Sequence, residues 1–450
     1  MKFLNIVLAF ALCVSATAGA SAGDILGIDG EESTSVGIYI KDLNTGKVLV
    51  DHNSDLALTP ASVMKAVTTA STLSLAGADK RFRTPVVLRG NASGASWDGD
   101  LVVHTVADPT VESENFKSRY GFCDSVVAAV KRAGISKING RIVIDQPLEN
   151  AGEIGKWEIE DVAWPYGAGL YGLNWRDNTF TLHPATGETK PFVPGLKIEM
   201  HRSTSGNDLI RGVGSDVLTI YSRNPNDKKW AVRSSMPDPA AVFCHELEAK
   251  LKAAGITVAG KEIKTDCEAA ERKLYTHVSP AYGEIMRSLM VRSDNLFAEG
   301  MLRAIAPGAS RKDCIKREKE LWATRGINTK YTIINDGSGL TRANRLSARF
   351  IADVLAWMAS SPQAKTYTTF FPRAGKEGTL RGFLAKSDLK GLVALKTGSV
   401  SSVQAYAGYK FDNEGEPTHV IVIMVNGFFC PRSQVREGAE QLLIDLFCKD

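Results

Sequence analysis

Two short stretches and a tripeptide-plus-serine carry residue types that could do chemistry together. Ser62 and Lys65 stand three residues apart in Thr59-Pro60-Ala61-Ser62-Val63-Met64-Lys65-Ala66. From Ser62 to about Leu75 the side chains are small or apolar with Lys65 as the one charge, which predicts a helix buried on most of its circumference. Residues i and i+3 share a helix face, so the Lys65 nitrogen can reach the Ser62 hydroxyl, near the positive end of the helix dipole. A hydroxyl beside an amine is a nucleophile beside a base. Alone, a Ser-x-x-Lys tetrad equally suits a helix start with a snorkelling lysine. Its company is Ser293-Asp294-Asn295, and Lys396-Thr397-Gly398 followed by Ser399.

The surrounding sequence must bring these stretches into one place. Val36 to Ile40 and Val48 to Val50 read as a hairpin around Asn44-Thr45-Gly46-Lys47, leading directly to the Ser62 helix. Between about Arg81 and Thr276 the chain reads mainly as short strands, among them Val86-Val87-Leu88, Leu101-Val102-Val103, Ile142-Val143-Ile144, Leu196-Lys197-Ile198 and Leu218 to Tyr221. Two amphipathic helices interrupt them, near Asp124 to Ala133 and Ala240 to Ala254, each ending in Ala-Gly-Ile. The distance from Ser62 to Ser293, 231 positions, is too long for one loop, so the middle is an insert of one or two mainly-β subdomains. The aromatic passage Trp157 to Trp175 inside it reads as core and loop packing, with a groove lining as the other option.

From Ser279 the pattern turns helical, with Ser279 as N-cap and Pro280 at the first position. That helix runs out at Val291-Arg292 and another starts near Leu296, so Ser293-Asp294-Asn295 occupies the link, where plain helix capping is the simpler role. Asn335 to Leu340 is a tight turn with two glycines, and Gly378-Thr379-Leu380-Arg381-Gly382 another loop. Strands are expected at Leu392 to Ser399, Ala405 to Phe411 and His419 to Val425, then a helix from Gln434 to Phe447. One antiparallel sheet built from both ends of the chain and covered by the last helix accounts for this order. The fold class expected is α/β (α+β), with the chain divided into 1–22, a discontinuous core of 23–83 plus 277–450, and an insert of 84–276.

A net charge of +4 on 450 residues, with basic residues scattered, gives no reason to expect nucleic-acid binding. Residues 1 to 22, with Lys2, an apolar run from Phe3 to Val14 and the small-x-small site Ala20-Ser21-Ala22, read as a secretory signal peptide cleaved near Ala22. The run is short for a membrane span, no other stretch is long enough, and the mature chain is expected outside the cytoplasm. Cleavage removes Cys13 and leaves Cys123, Cys244, Cys267, Cys314, Cys430 and Cys448, an even number compatible with disulfides in an exported chain. Sequence proximity suggests Cys244 with Cys267 and Cys430 with Cys448. No ligand-spaced cysteine or histidine pair suggests a metal, and no cofactor is expected; the seven dispersed histidines read as surface or packing residues.

Taken together, Ser62-x-x-Lys65, Ser293-Asp294-Asn295-Leu296-Phe297-Ala298-Glu299, Asp336-Gly337-Ser338-Gly339-Leu340-Thr341-Arg342, Gly378 to Gly382 and Lys396-Thr397-Gly398-Ser399 resemble the class C low-molecular-mass penicillin-binding proteins, the D-alanyl-D-alanine carboxypeptidase and endopeptidase family. The resemblance spans the mature length and includes Asp108-Pro109-Thr110 and Tyr166-Gly167-Ala168 in the insert; Thr105-Val106-Ala107 departs from it, standing where the family usually has glycines. It implies peptidoglycan stem peptides as substrate and β-lactams as covalent inhibitors. It further implies Ser62 as nucleophile, Lys65 as the base, with a pKa lowered by burial and by Lys396, and Ser293 as proton relay. Asn295, Lys396, Thr397, Gly398 and Ser399 would bind substrate, with the backbone N–H groups of Ser62 and Ser399 as oxyanion hole. Asp294 is expected to face the protein, and Gly398 to leave room for the substrate backbone along the strand edge. The competing readings are a serine β-lactamase, whose first two motifs lie much closer together, and a non-catalytic wall-binding protein, which would need none of Ser62, Lys65 and Lys396 together.

Overall fold

The computed structural model describes residues 25–145, 152, 156–264 and 270–448. The expected leader with its cleavage site lies outside them, as does Cys267.

The two ends of the chain meet in one sheet. Its five strands run in the order Val393–Val400, Val403–Phe411, Pro417–Asn426, Ser35–Asp42, Val48–His52, every neighbour antiparallel. Side chains alternate across a pleated sheet. Val36, Ile38, Leu395, Ile421 and Ile423 therefore face one way, onto Val435, Ala439 and Leu443 of the C-terminal helix Arg432–Phe447. Tyr39, Ala394, Ala405, Ala407 and Val422 face the other way, onto a helical layer. The same parity sends Lys396 and Gly398 to that helical side, because they are two and four residues on from Ala394.

At the centre of the helical layer is Met64–Ala76, preceded by a tight turn at Ala61–Val63. Ten of its residues are buried, several of them threonine or serine, which a core tolerates only if every hydroxyl is satisfied. Here they bond back to the preceding turn: Thr69 Oγ1 donates to Lys65 O, Ser71 Oγ to Val67 O and Thr72 Oγ1 to Thr68 O, at 2.8–2.9 Å. Ending the helix is Gly77, at φ 85°.

The helix Tyr282–Arg292 starts two residues later than the sequence suggests. Ala281 is its N-cap, with Glu284 accepting the Ala281 N–H at 2.7 Å, while Ser279 Oγ is occupied by the Phe82 N–H at 2.9 Å. It stops at Ser293, which takes a left-handed conformation (φ 62°), and Asp294 caps the next helix, Asn295–Ala304, by accepting the Phe297 N–H at 2.9 Å. The capping role is thus held by Asp294, which faces the protein as expected, leaving Ser293 and Asn295 to point elsewhere.

The middle of the chain builds three further sheets. A five-stranded one runs Thr257–Lys264, Lys137–Asp145, Ser96–His104, Arg83–Ser93, Glu271–Val278, and its first three strands are parallel to one another. Helices Phe122–Arg132 and Pro239–Ala253 pack on it around Phe122, Phe243 and Trp175. Each ends at a glycine with positive φ, Gly134 and Gly255, and feeds a strand. The helices are thus the crossovers that parallel strands require, a role their amphipathic pattern alone did not reveal. Two three-stranded sheets, Lys197–Arg202, Val217–Ser222, Asp208–Ile210 and Val232–Ser235, Thr179–His183, Glu188–Lys190, complete the insert.

The Cys430–Cys448 pairing is absent, and the Cys244–Cys267 pairing falls on a residue outside the described ones. Cys430 and Cys448 are free thiols, and Cys244 is a free thiol sealed in the insert's core, where it packs as a small apolar side chain. Among the described residues no helix is long and apolar enough to cross a membrane.

Candidate active site

Ser62 sits in the turn before its helix, directly after Ala61, whose φ of 45° is unusual for a residue with a Cβ. Lys65, fully buried, places its Nζ 2.9 Å from Ser62 Oγ, as helical i, i+3 spacing dictates. Two further contacts come from far along the chain: Lys65 Nζ donates to Asn295 Oδ1 and to the backbone carbonyl of Ser338, both at 2.6 Å. Asn295 cannot present its other end, because its Nδ2 donates to the Tyr166 carbonyl of the insert at 2.8 Å. Both distant partners of Lys65 are pure acceptors. As an ammonium Lys65 donates to all three; when it gives up a proton, its two remaining N–H groups stay with Asn295 and Ser338, which only accept, and the lone pair is left for the Ser62 hydroxyl.

Burial is the main cause that brings the Lys65 ammonium down to about 8, opposed by Asp336, Asp294 and Glu299. Lys396 is also fully buried and is pushed well below its ordinary value, by burial first and by the Lys65 charge second. Burial is thus the leading cause at both lysines; the repulsion between the two cations is mutual and disfavours holding both charged, while three carboxylates oppose the shift at Lys65. Lys396 Nζ donates to Ser293 Oγ at 3.0 Å and to the Thr397 carbonyl at 2.6 Å. Thr397 Oγ1 donates to Thr379 Oγ1 at 2.7 Å, drawing the Gly378–Leu380 turn to the rim.

The strand Val393–Val400 is an edge strand. Its first half is covered, with Ala374 N donating to Val393 O and Leu395 N to Pro372 O. Outward N–H groups recur every second residue, so those of Thr397 and Ser399 also face the edge, beyond the covering segment. Packing adds its own requirement for Gly398: an added Cβ would lie 2.7 Å from Pro60 O, 2.9 Å from Ser62 N and 3.0 Å from Val63 N. The bare backbone of Gly398 thus lets the strand press against the Ser62 turn. The Ser399 hydroxyl points to Gln404 Oε1 at 2.7 Å, and Arg432 Nη1 donates to that same oxygen at 2.9 Å. With Arg432 fixing the amide's orientation, Ser399 must donate there.

All the residues predicted for the site are brought together, and none of the seven histidines is a hydrogen-bond partner of Ser62, Lys65, Ser293 or Lys396. The sequence did not reveal the bracing behind Lys65. Asp336 is fully buried and accepts five donors: the Gly339 and Thr341 N–H groups, Asn344 Nδ2, Ser338 Oγ and Trp157 Nε1 of the insert. Glu299 Oε1 accepts the Gly337 and Ser338 N–H groups at 3.0 and 2.9 Å, and burial pushes its carboxyl up to about 7. These two carboxylates lock the turn that aims the Ser338 carbonyl at Lys65. Both acids stand in motifs named from the sequence, Glu299 at the end of Ser293 to Glu299 and Asp336 at the start of Asp336 to Arg342, but the motifs assigned neither of them a role. Likewise the Trp157 to Trp175 passage divides: Trp175 stacks edge-on with Phe122 and Phe243 in the insert's core, while Trp157 and the Tyr166 carbonyl reach the site. Pro109 packs on Gly300, where a Cβ would meet it at 2.6 Å, so a second segment of the insert bears on the Asn295 helix.

Comparison with known proteins agrees with this geometry. The model of the D-Ala-D-Ala carboxypeptidase 3 (S13) family matches residues 24–444. A D-alanyl-D-alanine carboxypeptidase of Actinomadura sp. (strain R39) is 28% identical over 427 residues, covering 87% of this chain and 78% of that protein. D-alanyl-D-alanine carboxypeptidase DacB of Haemophilus influenzae is 25% identical over 423 residues, covering 88% and 86%. Among solved structures, penicillin binding protein 4 of Haemophilus influenzae superposes with a TM-score of 0.80 at 22% identity, covering 92% of this chain and 97% of that one. With the motifs assembled as described and the family model spanning nearly the whole chain, this protein belongs to the D-Ala-D-Ala carboxypeptidase 3 (S13) family, as a low-molecular-mass penicillin-binding protein and serine-type carboxypeptidase.

Proposed function

We propose that Ser62 is the nucleophile of a D-alanyl-D-alanine carboxypeptidase that also opens crosslinks between peptidoglycan stem peptides. The observation that carries this reading is the hydrogen-bond set of Lys65, which reserves its lone pair for Ser62. In this scheme Lys65 takes the Ser62 proton as Oγ attacks the carbonyl of the penultimate D-alanine. The oxyanion that forms accepts the Ser62 and Ser399 N–H groups. The C–N bond then breaks as the proton held by Lys65 passes through Ser293, which Lys396 orients, to the departing amine. Water attacks the Ser62 ester and gives a proton to Lys65, which passes it to Ser62 Oγ as the ester C–O bond breaks and the shortened peptide leaves.

Asn295 has one N–H left after Tyr166 and offers it to the substrate amide. Lys396 and Thr397 attract the terminal carboxylate, whose negative charge offsets the repulsion that holds Lys396 down. Ser399 contributes its backbone, and Gly398 the contact that aligns it. A β-lactam follows the first half of this path and acylates Ser62. We place the enzyme in the periplasm, freed of residues 1–22, with 84–276 as an inserted unit supplying Tyr166 and Trp157 to a core of 23–83 and 277–450. The test is intact-mass spectrometry with benzylpenicillin, mapped by digestion. A persistent single adduct on Ser62, absent in Ser62→Ala, is expected; rapid hydrolysis without accumulation, or labelling of Ser62→Ala, would overturn the scheme. Muropeptide digestion then separates terminal D-alanine release from crosslink cleavage.

A further inference from the structure

A second cavity, of about 430 Å³, lies between the insert and the core, in the size range of small-molecule sites. It is not part of the Ser62 cleft. Arg303 and Ala304, which line it, end the helix that Asn295 begins, so about 13 Å of helix separates them from the cleft. Four cations line it: Lys80, Arg81, Arg83 and Arg303, with no carboxylate among the lining residues. Arg81 has a loose partner, Glu284 at 3.8 Å, and Arg303 donates to the Ala309 carbonyl at 2.7 Å. Neither Lys80 nor Arg83 has an ion-pair partner among the described residues.

The rest of the lining is apolar. Phe82, Tyr282 and Ala304 are buried floor, and Val106 with Ala107 makes a wall. Ala107 is held at φ 57°, the left-handed conformation that a residue with a Cβ adopts only against steric resistance. Strain of this kind persists where the surroundings over-determine it, often at ligand sites.

We propose that this cavity binds an amphiphilic anion: one phosphate or carboxylate head at Lys80, Arg83 and Arg303, and a short apolar tail against Phe82, Val106 and Tyr282. At about 30 Å³ per water-sized group the volume admits roughly a dozen non-hydrogen atoms. The concave, bounded shape commits the site to a free molecule rather than to a lipid held in a bilayer.

Titration calorimetry of the mature chain with octyl phosphate, below its micellar concentration, tests this. One equivalent is expected to bind, with inorganic phosphate and octanol each at least tenfold weaker. Lys80→Glu with Arg83→Glu, both exposed residues, weakens octyl phosphate at least tenfold, and Val106→Asp does so separately by spoiling the apolar wall. Both variants keep wild-type benzylpenicillin acylation, which reports that they are folded. Absence of saturable heat in the millimolar range would overturn the proposal. So would equal binding by both variants, loss of binding after benzylpenicillin acylation, or co-sedimentation with phosphatidylglycerol vesicles in place of octyl phosphate binding.

Discussion

Gly398→Ala is the substitution whose effect the geometry fixes most closely. The new methyl would sit 2.7 Å from Pro60 O, whereas ordinary van der Waals contact begins near 3.4 Å. Because the opposing atoms are backbone of the Ser62 turn, no flexible side chain can yield, and the strand must retreat by about 0.7 Å. An oxyanion donor works at 2.7–3.1 Å, so the Ser399 N–H would move to the edge of useful range. Losing one such donor costs a factor of roughly 10²–10³, or about 3–4 kcal/mol of transition-state stabilisation. The assay is the second-order rate of acylation by a fluorescent penicillin, on protein whose thermal transition has been measured. Gly212→Ala, where a Cβ meets nothing nearer than Ser215 Cβ at 3.7 Å, is the control and should acylate at the wild-type rate. A folded Gly398→Ala protein acylating within about threefold of wild type would refute the reasoning.

Three further outcomes are expected. With Lys65 near 8 and acting as free amine, acylation should climb about tenfold per pH unit from 6 towards 8 and then level off, since the neutral fraction grows as pH rises; a flat profile of second-order rates between pH 6 and 9 contradicts it. Glu299→Gln keeps an acceptor for the Gly337 and Ser338 N–H groups but removes a carboxylate that raises Lys65, so the acid limb of the same profile should shift to lower pH, whereas Glu299→Ala should depress the rate at every pH. Trp157→Phe deletes one of the donors to Asp336, a hydrogen bond to a charged group, and should lower stability by about 1.5–3 kcal/mol, read as an earlier urea midpoint at unchanged slope.

What the sequence determined by itself was whatever local spacing dictates. The Ser62–Lys65 contact follows from helical periodicity, and the shared direction of Lys396 and Gly398 from strand alternation; both need only a few neighbouring residues. Small, apolar and hydroxyl-bearing side chains marked the buried helix, and the insert announced itself by the length between two motifs that must meet. Three-dimensional packing decided the rest, because no local signal encodes which distant backbone atom faces a side chain. The Ser338 and Tyr166 carbonyls act through their main chain, and any residue has a carbonyl. Glu299 and Asp336 belong to motifs legible in the sequence, but only the closure of the Asn295–Ala304 helix against the Asp336 turn makes them the brace that holds Lys65. The capping role read at Ser279 moved to Ala281, and the Cys430–Cys448 pairing failed, for the same reason: proximity along the chain does not fix which groups tertiary packing brings into contact.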